Sequence, residues 1–209
     1  FNKAREEGRL SIGAQVSPIL TAGVMSFGTE EQRQRFLPPI LKGELEGWQC
    51  FTEPEAGSDI AALKSTAVRN GVVYVINGTK VFVGDSPNPI HPDYLYFLAV
   101  TNSKAPRHEN ISAFFIPGDA PGIQYHPLDL VTSVTGQKWE VICQDVRVSA
   151  DRLIGGEGKG WAVSQATLAM ERGGAGTVVA RHTLVLKLID YCKKNKRNGK
   201  PISSDLFIR

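Results

Sequence analysis

A carboxylate set among small and apolar neighbours on a helix is a candidate general base, and Glu171 is set that way. On a helix its face includes Ser164, Thr167, Leu168, Gly174, Ala175 and Val178. That face carries no charge, and its two hydroxyls can bond back to the helix's own carbonyls and so stay compatible with burial. Desolvation raises a carboxylate's pKa, and a poised carboxylate facing a dry cavity suits proton abstraction. The same spacing also fits an ion pair with Arg172 or Arg181 at a packed helix surface.

A second stretch with chemical potential is Thr52-Glu53-Pro54-Glu55-Ala56-Gly57-Ser58-Asp59. It is a loop by composition, yet it lies between apolar Trp48-Gln49-Cys50-Phe51 and Ile60-Ala61-Ala62-Leu63. Gly57 lets the backbone approach a ligand closely. Thr52 and Ser58 offer hydroxyls, and Asp59 can cap a following helical turn. Such a loop suits a polar, planar or phosphorylated ligand. A capped turn that holds no ligand explains the same residues.

Other chemistries are excluded by spacing. Gly155-Gly156-Glu157-Gly158-Lys159-Gly160 is not a phosphate loop, because Lys159 is followed by Gly160 rather than Ser or Thr. It is not a dinucleotide fingerprint either, because the preceding strand belongs to an antiparallel set and no acid follows at residues 176–182. The run reads as a flexible strand-to-helix connection. No G-x-S-x-G elbow and no H-E-x-x-H pair occurs. Cys50, Cys143 and Cys192 are odd in number and widely spaced, and the four histidines (His91, His108, His126, His182) are equally scattered. This argues against a disulfide framework or a metal site and for a reducing compartment.

Three kinds of element must position these residues. Residues 1–45 have helical periodicity through Ile12, Val16, Ile19, Leu20 and Val24. A capping box at Thr29-Glu30-Glu31-Gln32 starts a further helix, with Phe36, Leu37 and Leu41 on one face. Pro38-Pro39 should bend or end it. From about residue 46 the period changes. Asn70-Gly71 and Asn77-Gly78 have the composition of type I′ turns. They predict a three-stranded antiparallel meander over 64–69, 72–76 and 79–83. Further strands are expected over 94–101, 111–116, 122–127 and 139–148. Trp161, Leu168, Ala175, Val178, Leu184 and Leu188 then support one long helix to about residue 195. The fold class is therefore α+β and multidomain: a helical segment, an antiparallel β-barrel-like middle domain, and a second helical part.

Composition is that of an ordinary globular chain, with 42% apolar and 22% charged residues. No apolar run approaches the roughly 18 residues of a membrane span. Lys193, Lys194, Lys196, Arg197 and Lys200 crowd one end of the last helical pattern. Cations there favour a helix C-terminus. No aromatics interleave with them, which argues against nucleic-acid binding. The chain opens Phe1-Asn2-Lys3 with no signal or transit pattern, and both ends read as cut. A cytoplasmic location in a bacterium, or the mitochondrial matrix in a eukaryote, is expected rather than secretion.

Several segments together carry a family resemblance. They are Gly28-Thr29-Glu30-Glu31-Gln32 with Leu37-Pro38; Thr52 to Asp59; Val75-Ile76-Asn77-Gly78-Thr79-Lys80; Asp145-Val146-Arg147-Val148; and Leu153-Ile154-Gly155 with Gly158-Lys159-Gly160-Trp161. In that order and approximate spacing the chain resembles acyl-CoA dehydrogenases over essentially its whole length. The resemblance implies the end of an N-terminal helical domain at 1–46 and a flavin- and substrate-binding β-domain at 47–153. It implies the first helix and following loop of a C-terminal four-helix bundle at 154–209.

It also implies FAD as cofactor and oxidation of an acyl-CoA thioester to the trans-2-enoyl-CoA. Electrons would pass to an electron-transfer flavoprotein, and the full-length protein would be a homodimer or homotetramer. Gln49, Phe51 and Thr52 would line the flavin ring. Gly57 and Ser58 would meet its pyrophosphate, with Ser58 also touching substrate. Phe82, Val83 and Gly84 would stack against the ring. Glu171 matches the base of a subgroup of the family, and Arg172 a residue near bound substrate; most members instead place the base in the later bundle.

Two departures stand out. Many members have Thr or Ser where Gly84 stands, so a backbone N–H or Ser86 would have to serve. Gln49 and Cys50 replace an aromatic found in some members just before the loop. Oxidase or monooxygenase chemistry on the same fold, or a non-catalytic flavin- or CoA-binding relative, remains open.

Overall fold

The computed structural model describes residues 17–84, 91–131, 137–173, 175–197 and 199–202. The expected helical stretch before Ser17, Ser86 and Gly174 lie outside the described residues. Contacts divide the chain into two compact units, Phe1–Leu168 and Ala169–Arg209.

The first unit opens with α1 (Ser17–Phe27) and α2 (Glu30–Lys42). The capping box forms as expected. Thr29 Oγ1 accepts from the Gln32 N–H at 3.2 Å, and Gln32 Oε1 accepts from the Thr29 N–H at 3.0 Å. Glu30 and Glu31 in the first turn and Lys42 in the last complement the helix dipole. Gly43 closes the helix in a left-handed conformation. Of the two outcomes expected at Pro38-Pro39, ending the helix does not occur: α2 runs on through both to Lys42. Each removes one helical N–H, but Pro38 and the freed Gln34 and Arg35 carbonyls lie on the exposed side, where water can serve them. Gln32, Phe36 and Ile40 bury the other side at helical spacing.

One eight-stranded sheet follows. Its strands are β1 (Gly47–Cys50), β2 (Thr66–Asn70), β3 (Val73–Val83), β4 (Tyr94–Val100), β5 (Ile111–Pro117), β6 (Ile123–Leu128), β7 (Lys138–Ser149) and β8 (Leu153–Ile154). The order is β6-β7-β3-β2-β4-β5-β8, with β1 alongside β4. Most pairings are antiparallel, but β1 runs parallel to β4, as does β2 at its single pair. The path is open, so the barrel-like expectation holds only loosely: the sheet curls without closing.

β4 explains the curl, because both of its faces are buried. Tyr94, Tyr96 and Leu98 join Val24, Phe36, Ile40 and Val163 in a core beneath the helices. Leu95, Phe97 and Ala99 face the other way and meet Tyr74, Ile76, Val141, Cys143 and Val146 from β3 and β7. Period-two alternation in an all-apolar strand thus feeds two cores at once.

Three local expectations are corrected. Asn77-Gly78 is not a turn. β3 runs unbroken from Val73 to Val83, with a register shift against β7 at that dipeptide. Gly78 is needed there because a Cβ would overlap the Ser65 side chain, and Asn77 Oδ1 accepts the Asp145 N–H of β7 at 2.8 Å. The dipeptide marks a bulge. The first hairpin does turn, but its loop residues are Gly71 and Val72, between paired Asn70 and Val73. Gly71 has φ 62 while Val72 is not left-handed, the type II′ pattern rather than I′. The glycine run at 155–160 is packed rather than loose: Gly158 N–H donates to Ser112 Oγ at 2.9 Å, and a Cβ on Gly160 would meet the Ser112 backbone at 2.7 Å.

The helix α3 (Gly160–Gly173) begins in the first unit. The second unit continues with α4 (Ala175–Lys194) and a small hairpin of β9 (Lys196–Arg197) and β10 (Lys200–Pro201). Helix is thus described on both sides of residue 174, over the span expected for a helix to about residue 195. Leu184, Val185, Leu188 and Ile189 of α4 are exposed. Among the described residues no helix is long and apolar enough to cross a membrane.

Gln32 does more than cap. Its Nε2 donates to the Asp151 and Leu153 carbonyls, both at 2.8 Å, tying α2 to the strand end of the sheet. Gln32→Ala is expected to lower stability by about 1–3 kcal/mol, read by urea unfolding. Gln32→Glu should do no better, since it keeps the capping oxygen but sets a carboxylate against two carbonyls. Gly78→Ala should cost about 1–3 kcal/mol through overpacking, more than Gly71→Asn in the same assay, since Asn accepts the left-handed region.

Candidate functional site

The end of β1 and the end of β3 lie side by side, and the loop 52–59 leaves from that junction. Val81 N–H donates to the Thr52 carbonyl at 2.9 Å. Beneath this bond lies a charge pair that sequence reasoning did not single out. Lys80 Nζ is 2.7 Å from Glu53 Oε1, with the side chains 0% and 6% exposed. Lys80 Nζ also donates to the Phe51 carbonyl at 3.4 Å and lies 4.7 Å from the Phe97 ring centroid. Glu53 accepts the Lys64 N–H at 2.6 Å and the Ser65 N–H at 3.0 Å.

Both partners titrate below their ordinary values. For Glu53, burial alone would push the carboxyl up, but the Lys80 charge and the hydrogen bonds to the carboxylate outweigh it. For Lys80, burial dominates and lowers the ammonium despite the attraction of Glu53. A signal existed in the sequence. Tyr74, Ile76 and Lys80 share one face of β3 by alternation, so a strand pattern places a lysine among core residues and asks for a partner.

Alternation then breaks in a telling place. Strict period two would bury Phe82 with Lys80 and expose Val83. The register shift between Lys80 and Val83 inserts an extra residue, so Val83 is buried and Phe82 points outward, 57% exposed. Phe82 has φ 59, rare for a bulky residue. An exposed aromatic held in strained backbone beside a polar loop marks a surface for a planar ligand.

The remaining expected residues divide by what they can offer. Phe51 is buried against the Tyr96 ring, centroids 5.1 Å apart, so it and Val83 present backbone rather than side chain. Gln49 and Thr52 are half-buried, and Gly57 and Ser58 are exposed. A Cβ on Gly57 would meet only Thr52 Cγ2, at 3.8 Å. Gly84 has φ 68, and a Cβ there would meet the Trp48 ring at 2.7 Å. Trp48 is itself fixed by stacking on Trp139 and by donating to Glu46 Oε1 at 3.0 Å, which leaves no room for a hydroxyl-bearing side chain at position 84. Asp59 precedes the short 3₁₀ turn Ile60–Ala62 but makes no side-chain cap bond. It pairs instead with Arg107.

Glu171 lies in the second unit, at the end of α3. Ser164 and Thr167 are fully buried and bond back to the Trp161 and Val163 carbonyls, as their spacing implied. Contrary to the desolvated setting expected for Glu171, it and Arg172 are exposed: the buried face of the helix ends one turn earlier, at Leu168. The Arg181 side chain lies outside the described residues. The first unit therefore brings Gln49, Thr52, Gly57, Ser58, Phe82 and Gly84 around one junction, while Glu171 belongs to the second unit. The set fits a flavin: an exposed aromatic, an open glycine–serine loop, and backbone groups at Val83 and Gly84, with no charged side chain among them.

The chain is similar to known proteins over most of its length. Residues 49–146 match the model of the acyl-CoA dehydrogenase middle domain. The chain is 34% identical to acyl-CoA dehydrogenase IpdE1 of Mycobacterium tuberculosis, over 91% of this chain and 49% of the relative. Among solved structures, butyryl-CoA dehydrogenase from Megasphaera elsdenii superposes with a TM-score of 0.76 at 31% identity, covering 91% of this chain and 50% of that one. The prolyl acyl carrier protein oxidase AnaB superposes with a TM-score of 0.79 at 30% identity, covering 94% and 52%. The chain spans about half the length of these relatives. From the loop at 52–59, the β-domain around it and these likenesses along most of its length, the chain belongs to the acyl-CoA dehydrogenase family.

Proposed function

We propose that the protein containing this chain is an FAD-dependent dehydrogenase that oxidises an acyl-CoA thioester between its α and β carbons to the trans-2-enoyl-CoA. The observation that carries this reading is the outward, strained Phe82 beside the 52–59 loop in a chain of this family. The division at 1–46, 47–153 and 154–209 is part of the same proposal, with the slot inside the second segment.

Each residue has a role in this scheme. Phe82 offers its ring face, and a planar ligand gains from stacking there. Thr52 and Ser58 supply hydroxyls, and the open backbone at Gly57 lets a pyrophosphate approach; Ser58 also contacts substrate. Gln49 bonds the polar edge of the ring system, and Phe51, Val83 and Gly84 contribute backbone groups. Glu171 takes the proton α to the thioester carbonyl, whose acidity the carbonyl itself supplies, and Arg172 lies near bound substrate. FAD, when bound, would supply the acceptor for the β-hydrogen, which leaves as a hydride carrying both electrons of the oxidation. Their onward acceptor is an electron-transfer flavoprotein, and the whole enzyme is a homodimer or homotetramer. The relatives bearing names such as short-chain-specific acyl-CoA dehydrogenase support the substrate class without fixing its chain length.

A second reading is supported by one of the structural neighbours and by Gly84. AnaB is an oxidase, and Gly84 brings no side-chain hydroxyl to the slot. Oxygen would then take the electrons directly.

The full-length protein should be yellow as isolated, and an acyl-CoA added anaerobically should bleach it. A colourless protein, or a flavin that no acyl-CoA bleaches, overturns the reading. Fast reoxidation by oxygen in stopped flow selects the oxidase. Glu171→Gln in that protein should lower turnover by about 10²–10⁴ while FAD stays bound. Unchanged turnover would assign the base to another residue.

A further inference from the structure

We propose that Lys80 is a positioning residue for the flavin slot, acting through Glu53 as a buried ionic latch that sets Thr52 and Phe82 in place. This rests on the flavin reading above. The hydrogen bonds made by the two side chains reach Phe51–Glu53 and Lys64–Ser65, and the ammonium also faces the Phe97 ring. Those segments carry Thr52 and the return of the 52–59 loop to the sheet, and Lys80 itself lies on the strand that leads to Phe82.

The geometry shows how position is transmitted. Lys80 Nζ grips residues 51 and 53 at once, through the Phe51 carbonyl and the Glu53 carboxylate. Residue 52 between them is thereby fixed, and its carbonyl takes the Val81 N–H at 2.9 Å. That bond holds the bulge on whose outer side Phe82 stands. The other role of Glu53 is to fix Lys64 and Ser65, where the 52–59 loop and its 3₁₀ turn rejoin the sheet. One carboxylate thus sets both ends of the loop, and one ammonium sets the ring beside it.

An apolar pair of similar volume would fill the same space, and such replacements of buried ion pairs are often neutral or stabilising. Packing alone therefore does not call for charge here. Directional bonds to three backbone groups do, because they define where each segment stops along its own axis.

The test uses the full-length holoprotein with Lys80→Met, Glu53→Gln, the double variant, and Val146→Ala as a control. Val146 is buried in the same core but is not part of the slot. Both single variants should weaken FAD binding by at least about tenfold, and Val146→Ala should leave it within about twofold. At saturating FAD the visible circular dichroism of the flavin should change in the single variants and not in the control. Thermal midpoints should fall in all three. The double variant should regain thermal stability but not FAD affinity. If Lys80→Met does not fold, Glu53→Gln carries the same reading, since it retains an acceptor for the Lys64 and Ser65 N–H groups. Wild-type affinity and dichroism in the single variants, equal losses in the control, or full recovery of affinity in the double variant would each overturn the latch. A wild-type protein without flavin overturns the flavin reading itself, and the latch with it.

Discussion

A lysine and a glutamate with almost no access to water hold the working edge of this domain together. Burying either charge alone costs several kcal/mol. Here the Lys80 ammonium meets the Glu53 carboxylate at 2.7 Å and the face of Phe97. The carboxylate in turn receives two backbone N–H groups. Leaving one member of such a pair unpaired typically costs about 3–5 kcal/mol, a large fraction of a domain's whole stability margin. The consequence is mutual dependence: the loop at 52–59 keeps its course only while β3 places Lys80 under it, and β3 tolerates Lys80 only while the loop supplies Glu53.

Much of this was legible in the residues, and what was not has physical causes. The capping box at Thr29–Gln32 was readable because its signal is local and chemical. Its second use, Gln32 clasping carbonyls at 151 and 153, was not, because those partners lie more than a hundred residues away. β4 to β7 were placed within a residue or two, since apolar strands between polar loops have few other solutions. Asn77-Gly78 misled because the same dipeptide serves a turn and a bulge. What decides between them is a long partner strand, β7, ready to pair on both sides of it. Pro38-Pro39 misled because their cost depends on exposure, which a sequence does not state.

The site was legible in part. The loop 52–59 was marked by composition and by resemblance, the segment 82–84 by resemblance alone, and the structure brings them to one junction. Glu53 stood inside that loop and Lys80 at the end of the 75–80 segment without being singled out, because each alone looks like an ordinary surface charge. Only the strand alternation that buries Lys80 converts them into a pair. Gly84 looked like a missing hydroxyl. The structure gives it a reason of its own: a left-handed backbone pressed on Trp48.

Phe82 shows why these features belong together. A left-handed conformation costs a bulky L-residue roughly 1–2 kcal/mol, and leaving its ring in water forgoes about 1.5–3 kcal/mol of burial. A strand that simply continued its alternation would avoid both costs by turning Phe82 inward. The bulge prevents it, and every contact around it enforces the bulge. Val83 is locked in the core, Val81 is bonded to Thr52, Lys80 is paired below, and Gly84 lies flat on an immobilised indole. A local arrangement this unfavourable persists only where its surroundings over-determine it. The strain therefore marks Phe82 as a side chain the fold holds outside, which is what the proposed stacking on a planar ligand requires. It ties the stability of this domain's interior to the one ring it refuses to bury.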